Sequence, residues 1–228
     1  GDITAHSEHD STAISATALT SEKKTATMDM YSVRVPIHDE VLYSSSDEPS
    51  QVISQLLGNA VSAKVDSLIV ANFDNFSNTA NDTTNGISID DIFLALASLQ
   101  VNNAPAPYSL VLNPRQVYGT YGLSNDLVTS NQFGGSPSSQ DDMLRSGFLG
   151  QIAGCDIYTS SEIAISSNNA IGAMFSKMAL GFGYAGQFPN VEVERDAVRL
   201  KTDYVGSMFC GSVEIADTYG VEIQSKVT

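Results

Sequence analysis

The clearest pattern in the chain is an alternation over residues 28–37. Tyr31, Val33, Val35 and Ile37 fall on one face, while Met28, Met30, Ser32 and Arg34 fall on the other. Period-2 alternation predicts a half-buried strand, and Pro36 near its end cannot donate to a ladder. Upstream, Ile14, Ala16 and Ala18 alternate with small polar residues, and Ser21-Glu22-Lys23-Lys24 makes a charged tip between the two runs. The pair reads as a β-hairpin. An isolated hairpin is marginal in water, so its apolar face requires a surface in this molecule or in another copy.

From Asp47 to Val70 the period changes to that of a helix. Val52, Ile53, Leu56, Leu57, Ala60, Val61, Val65, Leu68 and Ile69 recur at three- and four-residue intervals. Asp47, Glu48 and Pro49 suit a first helical turn, and 24 residues extend about 36 Å. The Asn- and Asp-rich run from Asn72 to Gly86 reads as an exposed loop. A second helix is expected from Ser88, capped by Asp91, with Ile89, Ile92, Phe93, Leu96 and Leu99 inward. A short strand over 108–112 follows, and Asn113-Pro114 reads as an N-cap with proline opening a short helix through Tyr118.

Residues 122–147 form a long irregular stretch. Beyond it the pattern predicts strands at 148–152, 155–159, 170–175, 180–184, 191–195, 203–215 and 220–224. The whole is α+β: a hairpin, a long helix, a small α/β middle and a strand-rich end.

Composition narrows the function classes. The chain has 228 residues, is 42% hydrophobic and 16% charged, and carries 26 acidic against 11 basic residues for a net charge of −15. That is globular, and it lacks the basic patch that grips phosphates or an anionic membrane. No apolar run is long enough to span a bilayer, and the polar opening GDITAHSEHD has no signal-peptide pattern. The start at Gly1 is expected of a processed product or of part of a longer chain. Cys155 and Cys210 lie in apolar contexts without CxxC spacing and read as buried free thiols.

A search for chemistry finds little. His6-x-x-His9 with Glu8 and Asp10 sits in a polar arm, without the fixed ligands and ordered surroundings zinc needs. His38 beside Asp39 and Glu40 reads as a surface histidine. Asp90-Asp91 is explained by the helix N-terminus. The Asp74–Asp82 loop has oxygen ligands for weak Ca²⁺ binding, but neither EF-hand spacing nor a bidentate glutamate. The basic run Arg195, Arg199 and Lys201 reads as salt-bridging acidic neighbours. Sequons at Asn75 and Asn81 carry meaning only in a secreted chain. No nucleophile elbow, P-loop, dinucleotide fingerprint or HExxH motif occurs. No catalytic residue, cofactor or metal site is expected.

The order of segments carries a resemblance. KKTATMDMYSVRVPIHDEVL leads into SQVISQLLGNAVSAKVDSLIV. ISIDDIFLALASL, SLVLNPRQVYGTYG and GFLGQIAGCDIYTSSEI come next, and VEVERDAVRLKTDYVGSMFCGSVEIADTYGVEI closes the series. This series resembles the major capsid protein of tailed bacteriophages, the Hong Kong 97-type fold, from about Thr12 to Ile223. The resemblance implies an α+β capsid fold in which residues 1–46 hold an arm remnant and the E-loop hairpin. Residues 47–86 and 187–228 would form a peripheral domain with a spine helix, and 87–186 an axial domain.

The resemblance further implies a structural, non-enzymatic subunit that self-assembles into pentamers and hexamers of an icosahedral virion shell, built in the host cytoplasm around double-stranded DNA. Subunit-interface residues would be Lys23, Lys24, Met28, Met30, Arg34, Phe133 and Arg145. Partners would be copies of the chain, scaffolding, portal and decoration proteins, and DNA enclosed without tight sequence-specific binding; no membrane is implied. Some relatives cross-link an E-loop lysine to a neighbour's asparagine, but two lysines at a turn are ordinary and covalent chemistry is not expected here. The alternative with the same fold is an encapsulin-type nanocompartment shell enclosing cargo enzymes. Under the capsid reading the hairpin lies across an adjacent subunit. Deleting residues 12–32 should then leave a folded, assembly-defective monomer, while Leu57→Asp should unfold the subunit.

Overall fold

The structure, a computed structural model, describes residues 23–44, 49–124 and 151–228. Strand β1 (Asp29–His38) runs directly into a short helix α1 (Asp39–Ser44), and the long helix α2 spans Pro49–Val70. A 3-10 turn at Phe73–Asn75 and the two-residue strand β2 (Thr79–Ala80) precede α3 (Ile89–Val101), β3 (Tyr108–Leu112) and α4 (Pro114–Tyr118). The rest is β4 (Gln151–Ile152), β5 (Cys155–Thr159), β6 (Ile165–Ser166), β7 (Asn169–Ser176), β8 (Leu180–Asp196) and β9 (Lys201–Glu214). A 3-10 turn at Asp217–Tyr219 leads into β10 (Gly220–Lys226). The fold is α+β, as expected.

The strands form two sheets. One has the order β1-β9-β8, all antiparallel; the other runs β2-β10-β7-β3-β5-β4, with β6 beside β7. The larger sheet holds the larger core. α3 buries Ile89, Ile92, Ala95 and Leu99 against Leu110, Leu112, Met174, Val221 and Ile223. A second cluster contains Phe73, Phe76, Ile163, Ala173 and Val227, with the Phe73 and Phe175 ring centroids 5.5 Å apart.

Local chemistry fixes the ends of these helices. Ser88 Oγ accepts from Asp91 N (3.3 Å) and Asp91 Oδ2 accepts from Ser88 N (2.8 Å), closing a capping box. At α4, Asn113 Oδ1 accepts from Arg115 N, and Gln116 Oε1 accepts from Asn113 N. Gln116 is fully buried, and its amide donates to Ser225 Oγ (2.8 Å) and Ala170 O (3.1 Å), tying α4 to β7 and β10. Buried polar atoms are kept where each finds a partner.

The smaller sheet answers the question raised by β1. Tyr31, Val33, Val35 and Ile37 stand opposite Met208, Gly206, Tyr204 and Thr202 of β9. Ile53, Leu57 and Val61 of α2 pack on this face, with Cys210 and Tyr204 beneath. The apolar face of β1 therefore rests on the same molecule. For residues 29–37 this corrects the expectation that the hairpin crosses onto a neighbour; its first limb lies outside the described residues, and deleting 12–32 would strip Asp29–Ser32 from a paired strand.

Further expectations change with the tertiary contacts. Residues 180–184 and 191–195 belong to one strand, β8, with a register shift between Ala185 and Asn190. The sequence boundary between 186 and 187 therefore cuts a continuous strand. β10, placed by sequence with the peripheral segments, pairs with β7 and β2 in the larger sheet. Phe93 is 45% exposed instead of inward, because α3 meets the sheet only through its Ile89–Leu99 stripe. On α2 only a narrow stripe is covered, since a single helix lies on three strands; Val52 and Leu56 remain exposed. The expected strand at 14–18 and the first three residues of the 148–152 strand lie outside the described residues.

Candidate functional site

Among the described residues, the face of the small sheet opposite α2 brings exposed apolar side chains next to a cluster of charges. On β1 this face presents Met30, Ser32 and Arg34; on β9 it presents Asp203, Val205, Ser207 and Phe209. Arg34 Nη2 donates to Asp203 Oδ2 at 2.5 Å, and Lys201 Nζ lies 3.2 Å from the same oxygen. Asp203 and Lys201 are buried while Arg34 stays half exposed. The hydrogen bond from Arg34 holds the Asp203 carboxyl below the usual carboxylate range, with Lys201 adding to the effect, and raises Arg34 in turn.

Beside this charged knot lies an apolar patch. Met30 is 72% exposed and pairs with Phe209, which pairs with Ala185 on β8. With Asn190 and Ser207 they line a shallow hollow of about 230 Å³ next to the β8 register shift. A glycine pair sets the approach to the patch. Gly183 and Gly211 are cross-strand partners. A Cβ at Gly211 would meet Thr27 O at 2.2 Å, and one at Gly183 would meet Met28 Cε at 2.8 Å. The bare glycines form a notch through which residues 27–28 pass over β9.

The sequence-predicted interface residues divide accordingly. Met30 and Arg34 share the outer face, as alternation implied. Met28 is half buried over Gly183, and Lys24 lies 3.7 Å from Glu214. Lys23 is exposed. Phe133 and Arg145 lie outside the described residues. Sequence reasoning missed Asp203, Phe209 and the glycine notch; the alternating glycines of GFGY and the CG pair at 210–211 were the available signal. Nearby, Arg195 grips Asp39 with two hydrogen bonds of 2.6 Å, and Arg199 contacts Asp196, so the basic run pairs with acids as expected.

The other candidates resolve into structural roles. Cys155 and Cys210 are buried free thiols, and burial pushes both upward. Asp82 accepts four hydrogen bonds from Thr84 and Asn85 within its own loop, the Thr84 hydroxyl being the main cause of its lowered pKa. A hollow of about 510 Å³ between the end of α2 and the β6–β7 turn is edged by Asp74, Glu162, Asn169 and Gln224. Among the described residues no group of three or more His, Cys, Asp or Glu converges to hold a metal ion, and no helix is long and apolar enough to cross a membrane.

No protein-family model and no curated protein matches the sequence. Solved structures do match. A chain in the capsid structure of the cyanophage P-SCSP1u is 19% identical, with a TM-score of 0.70; the match covers 99% of this chain and 81% of that one. The capsid of Ralstonia phage GP4 matches at 12% identity and TM-score 0.67, over 89% of this chain and 74% of that one. The holo-SrpI encapsulin complex from Synechococcus elongatus PCC 7942 matches at 12% identity and TM-score 0.62, over 88% and 75%. The chain has the fold found in phage capsids, as the order of its sequence segments implied.

Proposed function

We propose that this chain is the major structural subunit of a phage capsid, assembling as pentamers and hexamers into an icosahedral shell around double-stranded DNA. The observation that carries the reading is the match to a capsid chain over 99% of the present one. In this reading α2 is the spine helix and the stretch leading into β1 is the base of an E-loop. The small sheet with α2 forms the peripheral domain. The larger sheet with α3 and α4, β10 included, forms the axial domain, a division that follows sheet membership more closely than the 186/187 boundary. Met30, Arg34 and Phe209 would meet a neighbouring copy, with Lys23 and Lys24 at the rim. The net charge of −15 supports the content: an acidic wall encloses DNA without gripping its phosphates. No step of this function is a turnover, and the shell would reside in the virion.

The second reading is an encapsulin-type shell, favoured by the SrpI match. Electron microscopy of purified particles tests both. Closed polyhedra holding nuclease-protected DNA support the capsid, and closed polyhedra filled with protein cargo support the nanocompartment. A chain that stays monomeric at high concentration, with its scaffolding partner supplied, overturns both.

A further inference from the structure

The two edges of the small sheet differ. β1 carries Pro36, and proline is accommodated in a sheet where its missing N–H would face away from the ladder. That edge is blunted against further pairing. β8 has its proline at Pro189, beside the register shift, so the edge beyond it, residues 190–196 (NVEVERD), is free of proline, and among the described residues its only strand neighbour is β9. Val191 and Val193 stand opposite Gly206 and Tyr204, hence on the face that α2 covers, yet they are 54% and 60% exposed. The helix does not reach the edge. Glu192 and Glu194 stand on the other face, opposite Val205 and Asp203. Glu192 accepts a hydrogen bond from Asn190 Nδ2 at 2.9 Å, and Glu194 lies close enough to Arg34 to act on its charge, but Arg34 and Lys201 are held by Asp203 and neither glutamate is within salt-bridge distance of a cation among the described residues.

We propose that the open edge of β8, residues 190–196, is a docking site for a separate polypeptide in extended conformation that alternates apolar with basic side chains. Added beside β8, its backbone would pair with the free edge amides and carbonyls. Its apolar side chains would cover Val191 and Val193, and its basic ones would reach Glu192 and Glu194.

The same geometry argues against a second copy as occupant. Two β8 edges brought together would oppose glutamate to glutamate, which is unfavourable for directly facing cross-strand pairs. The described runs of this chain that alternate apolar and basic residues are Val33–Val35 and Val198–Lys201. Their cations are already held by Asp203 and Asp196. The proposal does not depend on the shell reading.

The test titrates the purified chain with a fluorescently labelled Lys-Val-Lys-Val-Lys-Val peptide, followed by anisotropy and by hydrogen exchange at residues 190–196. Saturable binding is expected, with slowed exchange at the edge. Val193→Lys is expected to weaken it about tenfold, whereas the charge-matched Thr218→Lys, at an exposed site outside the sheet edge, should change it by less than about twofold. The pair Glu192→Gln and Glu194→Gln, which alters no packing, is also expected to weaken it. No saturable binding up to roughly 1 mM would overturn the proposal. Equal weakening by Val193→Lys and Thr218→Lys would also overturn it, because the peptide would then be reading the diffuse negative charge. Self-association of the chain through β8, lost in Val193→Lys, would replace the proposed partner by a second copy.

Discussion

Adjacent residues on α2 have opposite surroundings, and that contrast can be measured. Leu57 is 3% exposed and sits over β9, where a Cβ added at Gly206 would lie 3.7 Å from its Cδ2 atom; Leu56 is 56% exposed. Leu57→Ala removes three buried carbons, roughly 2–3 kcal/mol at about 0.8 kcal/mol per carbon. A sealed cavity would add more, toward the roughly 5 kcal/mol upper end for such changes. Here the site borders a groove of about 300 Å³ between α2 and the sheet, lined by Ala60, Val61, Gly206 and Met208. Space opened by the truncation can merge with that groove and take up water, so the cost should fall at the lower end. Leu56→Ala should shift stability by less than about 0.5 kcal/mol, as exposed substitutions do. Urea unfolding of the unassembled subunit, monitored by far-ultraviolet circular dichroism, separates the two. Equal costs for Leu56→Ala and Leu57→Ala would refute the placement of α2, and so would a Leu57→Asp subunit as stable as the parent.

Two further outcomes follow from named contacts. Gly211→Ala should lift residues 27–28 off β9, because the new Cβ meets the Thr27 carbonyl at 2.2 Å. Trypsin cleavage after Lys23 and Lys24 should accelerate while the sheet stays folded, and unchanged cleavage would refute the notch. Burial pushes the Glu222 carboxyl above its ordinary 4.5, with the Gln224 amide opposing and Asp74 adding to the rise. A carboxyl raised on folding binds a proton in the folded state, so its ionisation destabilises as pH climbs through the folded value. Glu222→Gln should therefore raise the urea midpoint at pH 7, with a gain that shrinks toward pH 4.5; a gain independent of pH would refute the assignment.

What the sequence revealed was local. Ser88 with Asp91, and Asn113 with Pro114, mark helix starts because the capping partners lie within three residues of each other. The strand character of β1 and its outward Met30 and Arg34 were legible from alternation alone. Their partners were not, because Arg34 meets Asp203 across 169 positions and nothing near Arg34 announces it. The same holds for α2. Its apolar positions fill a broad face, but how much of that face is covered depends on the width of the sheet beneath. β8 was split in two because Gly186 and the irregular register from Ala185 to Asn190 interrupt the alternation without ending the strand. Membership of β10 in the larger sheet depends on its pairing with β7 some fifty residues earlier, which no pattern within β10 encodes.

The two sheets also differ in how completely they are covered, and this bears on the proposed assembly. In the larger sheet Leu110, Leu112, Met174 and Ile223 are fully enclosed, and apolar residues left outside, such as Phe93 and Val101 on α3, lie above a closed core. In the smaller sheet one helix covers three strands through Ile53, Leu57 and Val61, with a groove beneath Ala60 and open apolar positions at Met30 and Phe209 on the outer face. Apolar area removed from water stabilises at about 25 cal/mol per Å², so contacts with a neighbour add most where the isolated chain has buried least. The outer face of the small sheet, with Met30 and Phe209 open, therefore gains from a partner. The outer face of that sheet also holds the charged knot of Arg34, Asp203 and Lys201, which would orient a contact that apolar burial alone leaves undirected. A subunit with a larger enclosed core around one sheet and smaller clusters beside the other fits the proposed shell, because contacts between copies would then add burial where the isolated chain has less.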